Sequence, residues 1–218
     1  MKAVSLLEYG GQLVFNDVPT PTIARDEILL KIKSTAVNHL DLVKASGTAR
    51  QILPINLPWI PGHEFSGVIE QIGSDVAAYA PGEAVFGANE TGGAYAEYLP
   101  VKPAIIARKP SNLSFEEAAS VPVAAQTAWQ GLFTHGHLEK GQTILIHGGA
   151  GAVGAYAVQS PTRHRAPSWH SHSFASRRLR DIGARFCFVE KTFPDQLFEQ
   201  HLASRNIYVP EATCLRHG

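Results

Sequence analysis

Read from the N-terminus, apolar residues come in short bursts separated by turn-forming residues: residues 3 to 7, residues 13 to 18, then Ile28-Leu29-Leu30-Lys31-Ile32-Lys33. Each burst has the length of a β-strand, and in the third Ile28, Leu30 and Ile32 alternate with other residues, the period-2 pattern of a half-buried strand. Turn residues recur at intervals of roughly ten residues, as at Gly10-Gly11, Pro19, Gly47, Pro61-Gly62, Gly73, Pro81-Gly82 and Gly92-Gly93. The first hundred residues are therefore predicted to be mainly β, with the texture of a barrel.

The texture changes at Ser111. Ser114-Phe115-Glu116-Glu117 is an S-x-x-E capping box, in which the serine hydroxyl and the glutamate carboxylate satisfy free N–H groups of an opening helix. Residues 118 to 133 are rich in helix formers, so the pattern predicts two helices broken near Pro122. Thr143-Ile144-Leu145-Ile146-His147 is a short unbroken apolar run, as in a parallel strand covered on both faces. Glycines follow at once, and residues 152 to 159 read as a helix that Ser160-Pro161 ends.

Gly149-Ala150-Gly151-Ala152-Val153-Gly154 is G-x-G-x-x-G between a predicted strand and a predicted helix. In that context glycines allow a tight turn and a close approach of backbone to a pyrophosphate. The helix N-terminus offers N–H groups and the positive end of a dipole. An acidic residue about 20 positions further on would hydrogen-bond the adenosine ribose of NAD. None occurs between Glu139 and Asp181, which favours NADP; Arg163 and Arg165 read as part of an irregular basic segment rather than as a 2′-phosphate site.

Composition narrows the class. The 218 residues carry 19 Lys+Arg against 19 Asp+Glu and are 44% hydrophobic, 9% aromatic and 17% charged. Zero net charge argues against nucleic acid as the main partner. No run approaches the ~20 apolar residues of a bilayer-spanning helix, so a soluble, cytoplasmic protein is expected. Two cysteines, Cys187 and Cys214, make neither a disulfide framework nor a four-Cys zinc site. The neutral total hides an asymmetry: residues 1 to 160 carry 10 basic and 14 acidic residues, whereas residues 161 to 218 carry 9 and 5, with arginine replacing lysine and five of the ten histidines.

Taken together, Thr35-Ala36-Val37-Asn38-His39-Leu40-Asp41, Pro61-Gly62-His63-Glu64-Phe65-Ser66-Gly67, Pro81-Gly82-Glu83-Ala84-Val85-Phe86-Gly87, Gly93-Ala94-Tyr95-Ala96-Glu97-Tyr98, the helix with Thr127, and the glycine turn after His147 resemble, over residues 1 to about 160, the zinc-free quinone oxidoreductase branch of the medium-chain dehydrogenase/reductase superfamily. The resemblance implies an α/β protein with an N-terminal GroES-like β-barrel catalytic domain over residues 1–120 and the start of a Rossmann cofactor domain over residues 121–160. It implies transfer of hydride from NADPH to a small quinone or enone, with Asn38 at the reacting centre and Thr127 at the nicotinamide end. Gly148, Gly151, Ala152, Val153 and Gly154 would hold the pyrophosphate, and two chains would pair as a homodimer. Zinc-dependent relatives carry Cys where this chain has Asn38, so no catalytic zinc is expected, and His63 reads as a structural or cleft-lining histidine. His135 and His137 read as belonging to a helix-end loop, and Tyr95 and Tyr98 as packing aromatics.

Beyond residue 160 the family pattern is no longer recognisable. Residues 161 to 180 hold too few apolar side chains for a buried strand and helix, and the swing to Arg, His, Ser and Pro is what a shifted reading frame produces. The expectation is a truncated chain with an irregular, out-of-frame basic tail over residues 161–218, a strand at residues 144 to 146 lacking most of its neighbours, and doubtful activity. The alternative is a non-enzymatic GroES-like binding module or an inactive fragment.

Overall fold

The computed structural model describes residues 1–139, 144–163, 168–171 and 207–209. The chain divides into two compact units, Met1–Val123 and Ala124–Gly218.

The first unit is built on strands. β1 (Lys2–Leu6) and β2 (Leu13–Asp17) form an antiparallel hairpin paired Lys2↔Asp17 through Leu6↔Leu13. A five-stranded antiparallel sheet follows in the order β6-β3-β4-β5-β7, from β3 (Ile28–Ala36), β4 (Glu64–Ile72), β5 (Ala84–Ala88), β6 (Tyr98–Val101) and β7 (Ile106–Arg108). Bridges Ala3↔Ala96 and Leu6↔Trp59 tie the hairpin to the loops that flank the sheet. The alternation read at Ile28, Leu30 and Ile32 is present: the first two are fully buried and Ile32 packs against the same core, with Phe65, Ile69, Val85 and Leu99. Leu29 is buried as well, and the pairing of β3 with β4 slips twice, leaving Glu70 as an extra residue in β4 between Leu29↔Gln71 and Leu30↔Ile69 and Lys33 as an extra residue in β3 between Ile32↔Gly67 and Ser34↔Ser66. A bulge adds a residue to one strand and re-aims the side chains after it.

One helix in this unit has no counterpart in the sequence reading. α1 (His39–Ser46) opens directly after β3, with Asn38 as its N-cap, and closes on Gly47 in the left-handed conformation. The predicted capping box at Ser114 is present: Ser114 Oγ accepts from the Glu117 N–H at 3.1 Å, and Glu117 Oε2 accepts from the Ser114 N–H at 2.8 Å. It opens α2 (Phe115–Ala119). α3 (Pro122–Trp129) follows, so Pro122 separates two helices by starting the second, where its missing N–H costs nothing.

In the second unit the helical path continues as a π-helical turn over Gln130–His135. β8 (Ile144–His147) leads through the glycine turn into α4 (Ala152–Arg163). Ala128, Leu132, Leu138, Ile144, Ile146, Ala157 and Val158 form its core. Two expectations are corrected here. α4 runs through Ser160-Pro161 to Arg163; a proline so near a helix end removes a single backbone hydrogen bond, and Gln159 Nε2 and Ser160 Oγ turn back onto the carbonyls of Ala155 and Tyr156 at 3.0 and 2.8 Å. β8 also has neighbours on both edges, for β9 (Ser168–Ser171) and β10 (Ile207–Val209) flank it in a parallel sheet ordered β10-β8-β9. A parallel ladder is made by backbone groups, so a segment poor in apolar side chains still supplies one. The rest of the basic segment lies outside the described residues.

The register of β3 against β4 explains why Gly67 is glycine: an added Cβ would lie 2.4 Å from the Lys31 carbonyl oxygen in the middle of the sheet. Gly67→Ala is expected to lower stability by about 1–3 kcal/mol through overpacking. Gly82→Ala, at φ +89 with nothing within 4 Å of the added carbon, carries only left-handed strain of roughly 1–2 kcal/mol. Urea unfolding of the two variants beside the parent checks both values; an unchanged midpoint for Gly67→Ala contradicts the close approach.

Candidate functional site

The landmarks at residues 35–41 and 61–67 converge because Ala36 pairs with Glu64 at the junction of β3 and β4. Thr35 Oγ1 donates to the Glu64 carbonyl oxygen at 2.7 Å and fastens that junction. Asn38 follows two residues after β3 and caps α1, with its backbone N–H donating to Asp41 Oδ2 at 2.8 Å. Its side chain makes a different bond: Asn38 Nδ2 donates to Glu64 Oε1 at 2.8 Å, while Glu64 Oε2 accepts the N–H of Val123 at 2.9 Å.

Asp41 is the hub. Its carboxylate is 4% exposed and takes four donors: the N–H groups of Asn38 and of Gly62 (2.9 Å to Oδ1), His63 Nδ1 (2.6 Å to Oδ1) and the Tyr95 hydroxyl (3.2 Å to Oδ2). Burial alone would raise its pKa, but the His63 bond and the two backbone N–H groups outweigh it and hold the carboxyl below its ordinary range. Glu64 goes the other way, because burial, assisted by the charge on Asp41, exceeds the help of the Val123 N–H and the Asn38 amide and raises it. Burial, followed by the charge and the hydrogen bond of Asp41, likewise pushes the Tyr95 phenol up, so it stays a donor.

Gly62 is required where it stands. Its φ is +95, and an added Cβ would lie 2.4 Å from Tyr95 Cδ1. Behind the hub, Lys44 is buried on α1 and donates to the Glu90 carbonyl oxygen at 2.6 Å, its ammonium pKa lowered by burial. Trp59 Nε1 donates to the Thr91 carbonyl at 2.8 Å, so α1 and the 59–62 segment are both anchored to the loop after β5. His63 is fully buried; with Nδ1 on a carboxylate that only accepts, its Nε2 has no partner among the described residues. Among the described residues no group of three or more His, Cys, Asp or Glu side chains has the arrangement to hold a metal ion, and no helix is long and apolar enough to cross a membrane.

The remaining sequence-derived site residues lie in the second unit. Thr127 is exposed on α3. Gly148 adopts φ +67 directly after β8, and its carbonyl oxygen accepts the Gly151 N–H at 2.8 Å, closing the turn. An added Cβ at Gly154 would lie 2.1 Å from that same oxygen, so only glycine lets the first turn of α4 pack on the end of the strand. Gly151 and Ala152 are exposed, and Val153 packs its side chain into the core with its backbone left at the helix start. The N–H groups of a helix's first turn have no intrahelical partner, so this opening has the donors and the bare backbone that a pyrophosphate requires.

In the sequence Asp41 and Glu64 stand only as parts of landmarks, and Tyr95 as a packing aromatic. Tyr95 is more than a packing aromatic, since its hydroxyl bonds Asp41. The one local signal was the spacing Asn38-x-x-Asp41, which is a capping pattern once a helix is placed after β3. His135 ends the π-helical turn and His137 follows at φ +48, both exposed, which fits the helix-end loop expected of them.

Comparison with known proteins agrees with this geometry. The alcohol dehydrogenase GroES-like domain family matches residues 24–111. The chain is 36% identical over 170 residues to the 2-methylene-furan-3-one reductase of Solanum lycopersicum, covering 73% of this chain and 43% of that protein. It is 32% identical over 163 residues to the quinone oxidoreductase of Homo sapiens, covering 73% and 49%. Among solved structures, the quinone oxidoreductase from Coxiella burnetii superposes with a TM-score of 0.78 at 31% identity, over 91% of this chain and 65% of that one. The chain thus spans about half the length of the curated relatives it matches.

Asp41→Asn turns one of two acceptor oxygens into a donor facing other donors, and a buried donor left unsatisfied costs about 1–3 kcal/mol, so the variant should unfold at markedly lower urea than the parent. Asp41 has a lowered folded-state pKa, so its stabilisation is complete above the ordinary carboxylate range and is lost as the pH falls through the lowered value. The difference between parent and variant should therefore be largest near neutrality and narrow in acid. Unfolding curves from neutral to acidic pH check both the size and the sign.

Proposed function

Residues 1 to about 160 of this chain belong to the medium-chain dehydrogenase/reductase superfamily, with quinone oxidoreductases among their relatives, and on that premise we propose that the protein is an NADPH-dependent, zinc-independent reductase of quinones and other conjugated carbonyl or alkene acceptors. The observation that carries the reading is the β8–glycine turn–α4 junction, where Gly148 is left-handed and a Cβ at Gly154 would strike the Gly148 carbonyl.

In this reading Gly148, Gly151, Ala152, Val153 and Gly154 hold the pyrophosphate through backbone N–H groups and the helix N-terminus, and Thr127 contacts the nicotinamide end. NADPH, when bound, supplies the hydride. The absence of an acidic residue over the stretch where an NAD enzyme places its ribose ligand supports the phosphorylated cofactor. Asn38 serves the substrate: one amide hydrogen is taken by Glu64, and the second is a neutral donor for the oxygen on which charge develops. A neutral carboxamide is a poor substitute for a thiolate ligand, and His63 Nδ1 is committed to Asp41. That donor set favours acceptors that delocalise the incoming charge themselves over substrates needing a Lewis acid.

The test begins with cofactor binding, followed through the emission of Trp59, Trp129 and Trp169. NADPH is expected to quench it saturably at micromolar concentration and more tightly than NADH. Gly154→Ala is expected to weaken binding about tenfold or more, since the turn must open to admit a Cβ. Consumption of NADPH with a soluble para-quinone then reports turnover. A folded protein that shows no quenching overturns the proposal in favour of a binding module without enzymatic function.

A further inference from the structure

Glu64 is a buried carboxylate, 3% exposed, that the proposed chemistry leaves without a task. Its two oxygens are divided between two partners: Oε1 takes the Asn38 amide at 2.8 Å and Oε2 takes the Val123 N–H at 2.9 Å. Its backbone is fixed independently, by pairing with Ala36 and Ala88 and by the Thr35 hydroxyl on its carbonyl. A carboxylate pinned at its backbone and at one oxygen offers the other oxygen at one place only.

A carboxylate accepts and does not donate, so it selects which end of the Asn38 carboxamide faces it. The nitrogen turns to Glu64, the carbonyl oxygen turns away from it, and the second amide hydrogen is left for a ligand. The backbone of Asn38 is set separately through Asp41 Oδ2. Orientation of a catalytic donor is a large lever, because a small misplacement removes much of its stabilisation of developing charge.

We propose that Glu64 is the positioning residue of this site: by bridging the Asn38 side-chain amide and the Val123 backbone N–H, it fixes the carboxamide in the rotamer that presents an N–H to the substrate oxygen. The proposal rests on the reading of Asn38 as the substrate-facing donor and goes beyond it in assigning what aims that donor. Both geometry and charge matter in it. Glutamine at position 64 keeps the length, but its amide can accept from only one of the two donors. Aspartate keeps the charge but is one methylene too short to span both.

Two measurements on the full chain test it. The first reads the Asn38 side-chain amide by ¹H–¹⁵N NMR, the signals being identified by their loss in Asn38→Ala. In the parent one amide proton is shifted well downfield by the carboxylate, and in Glu64→Gln the pair collapses toward the values of an unconstrained asparagine. An amide pair identical in parent and Glu64→Gln overturns the proposal. The second is steady-state reduction of a soluble para-quinone by NADPH. Asn38→Ala, Glu64→Gln and Glu64→Asp are each expected to lower kcat about tenfold with KM for NADPH within about twofold, and the Asn38→Ala/Glu64→Gln double variant to fall no further than Asn38→Ala. Additive losses, or full kcat in Glu64→Gln beside an impaired Asn38→Ala, overturn the role of Glu64 alone. Full turnover in Asn38→Ala removes the premise.

Discussion

The first unit depends on one buried negative charge. A carboxylate in a protein interior is tolerated only when its lone pairs are filled, and Asp41 meets that condition with four donors drawn from α1, the 62–63 loop segment and Tyr95. Each donor is thereby fixed in turn. The N–H of Asn38 sets the start of α1, Gly62 is held at its left-handed turn, His63 is held in one tautomer, and Tyr95 is laid across a residue that cannot carry a Cβ. The motif residues are spread over more than fifty positions of sequence, and a single acceptor gathers them.

The two carboxylates of this region divide the labour by environment. Asp41 is surrounded by donors that hold its carboxyl below the ordinary range against its burial, whereas at Glu64 burial, joined by the charge on Asp41, outweighs two donors and raises the carboxyl above it. Asp41 therefore acts as a permanent anchor of backbone. Glu64 takes one donor on each oxygen, and so joins a side-chain amide to a backbone N–H.

Much of this was legible in the sequence where the physics is local. The alternation at Ile28, Leu30 and Ile32, the Ser114–Glu117 capping box and the glycine turn after residues 144 to 147 are each set by near neighbours, and each element stands where its pattern placed it. α1 was not legible, for its eight residues lie between a strand and Gly47 and its N-cap signal, Asn38 to Asp41, is as readily a turn. The hub was not legible either, because nothing in a one-dimensional pattern says that Asp41, His63 and Tyr95 meet. β9 is not legible for a different reason, since apolar content reports burial of side chains and a parallel ladder is a matter of backbone pairing; β10, though apolar, is three residues long and pairs with a strand 63 positions earlier.

The ladder around β8 also sets an order of events. β8 pairs with β9 across a separation of 24 residues (Ile144↔Ser168) and with β10 across 63 (Ile207↔Ile144). The longer closure carries the greater entropy loss, by about 0.6 kcal/mol for each doubling of loop length, and non-local pairings form late. The pairings of the first unit all lie within Met1–Val123, upstream of this ladder. The β1–β2 hairpin and the antiparallel sheet can thus be complete as the chain emerges, while the strand that feeds the glycine turn acquires its second neighbour last. The setting of the glycine turn is then a late product of folding, and its assembly is more exposed to competing association than that of the strand-built unit before it.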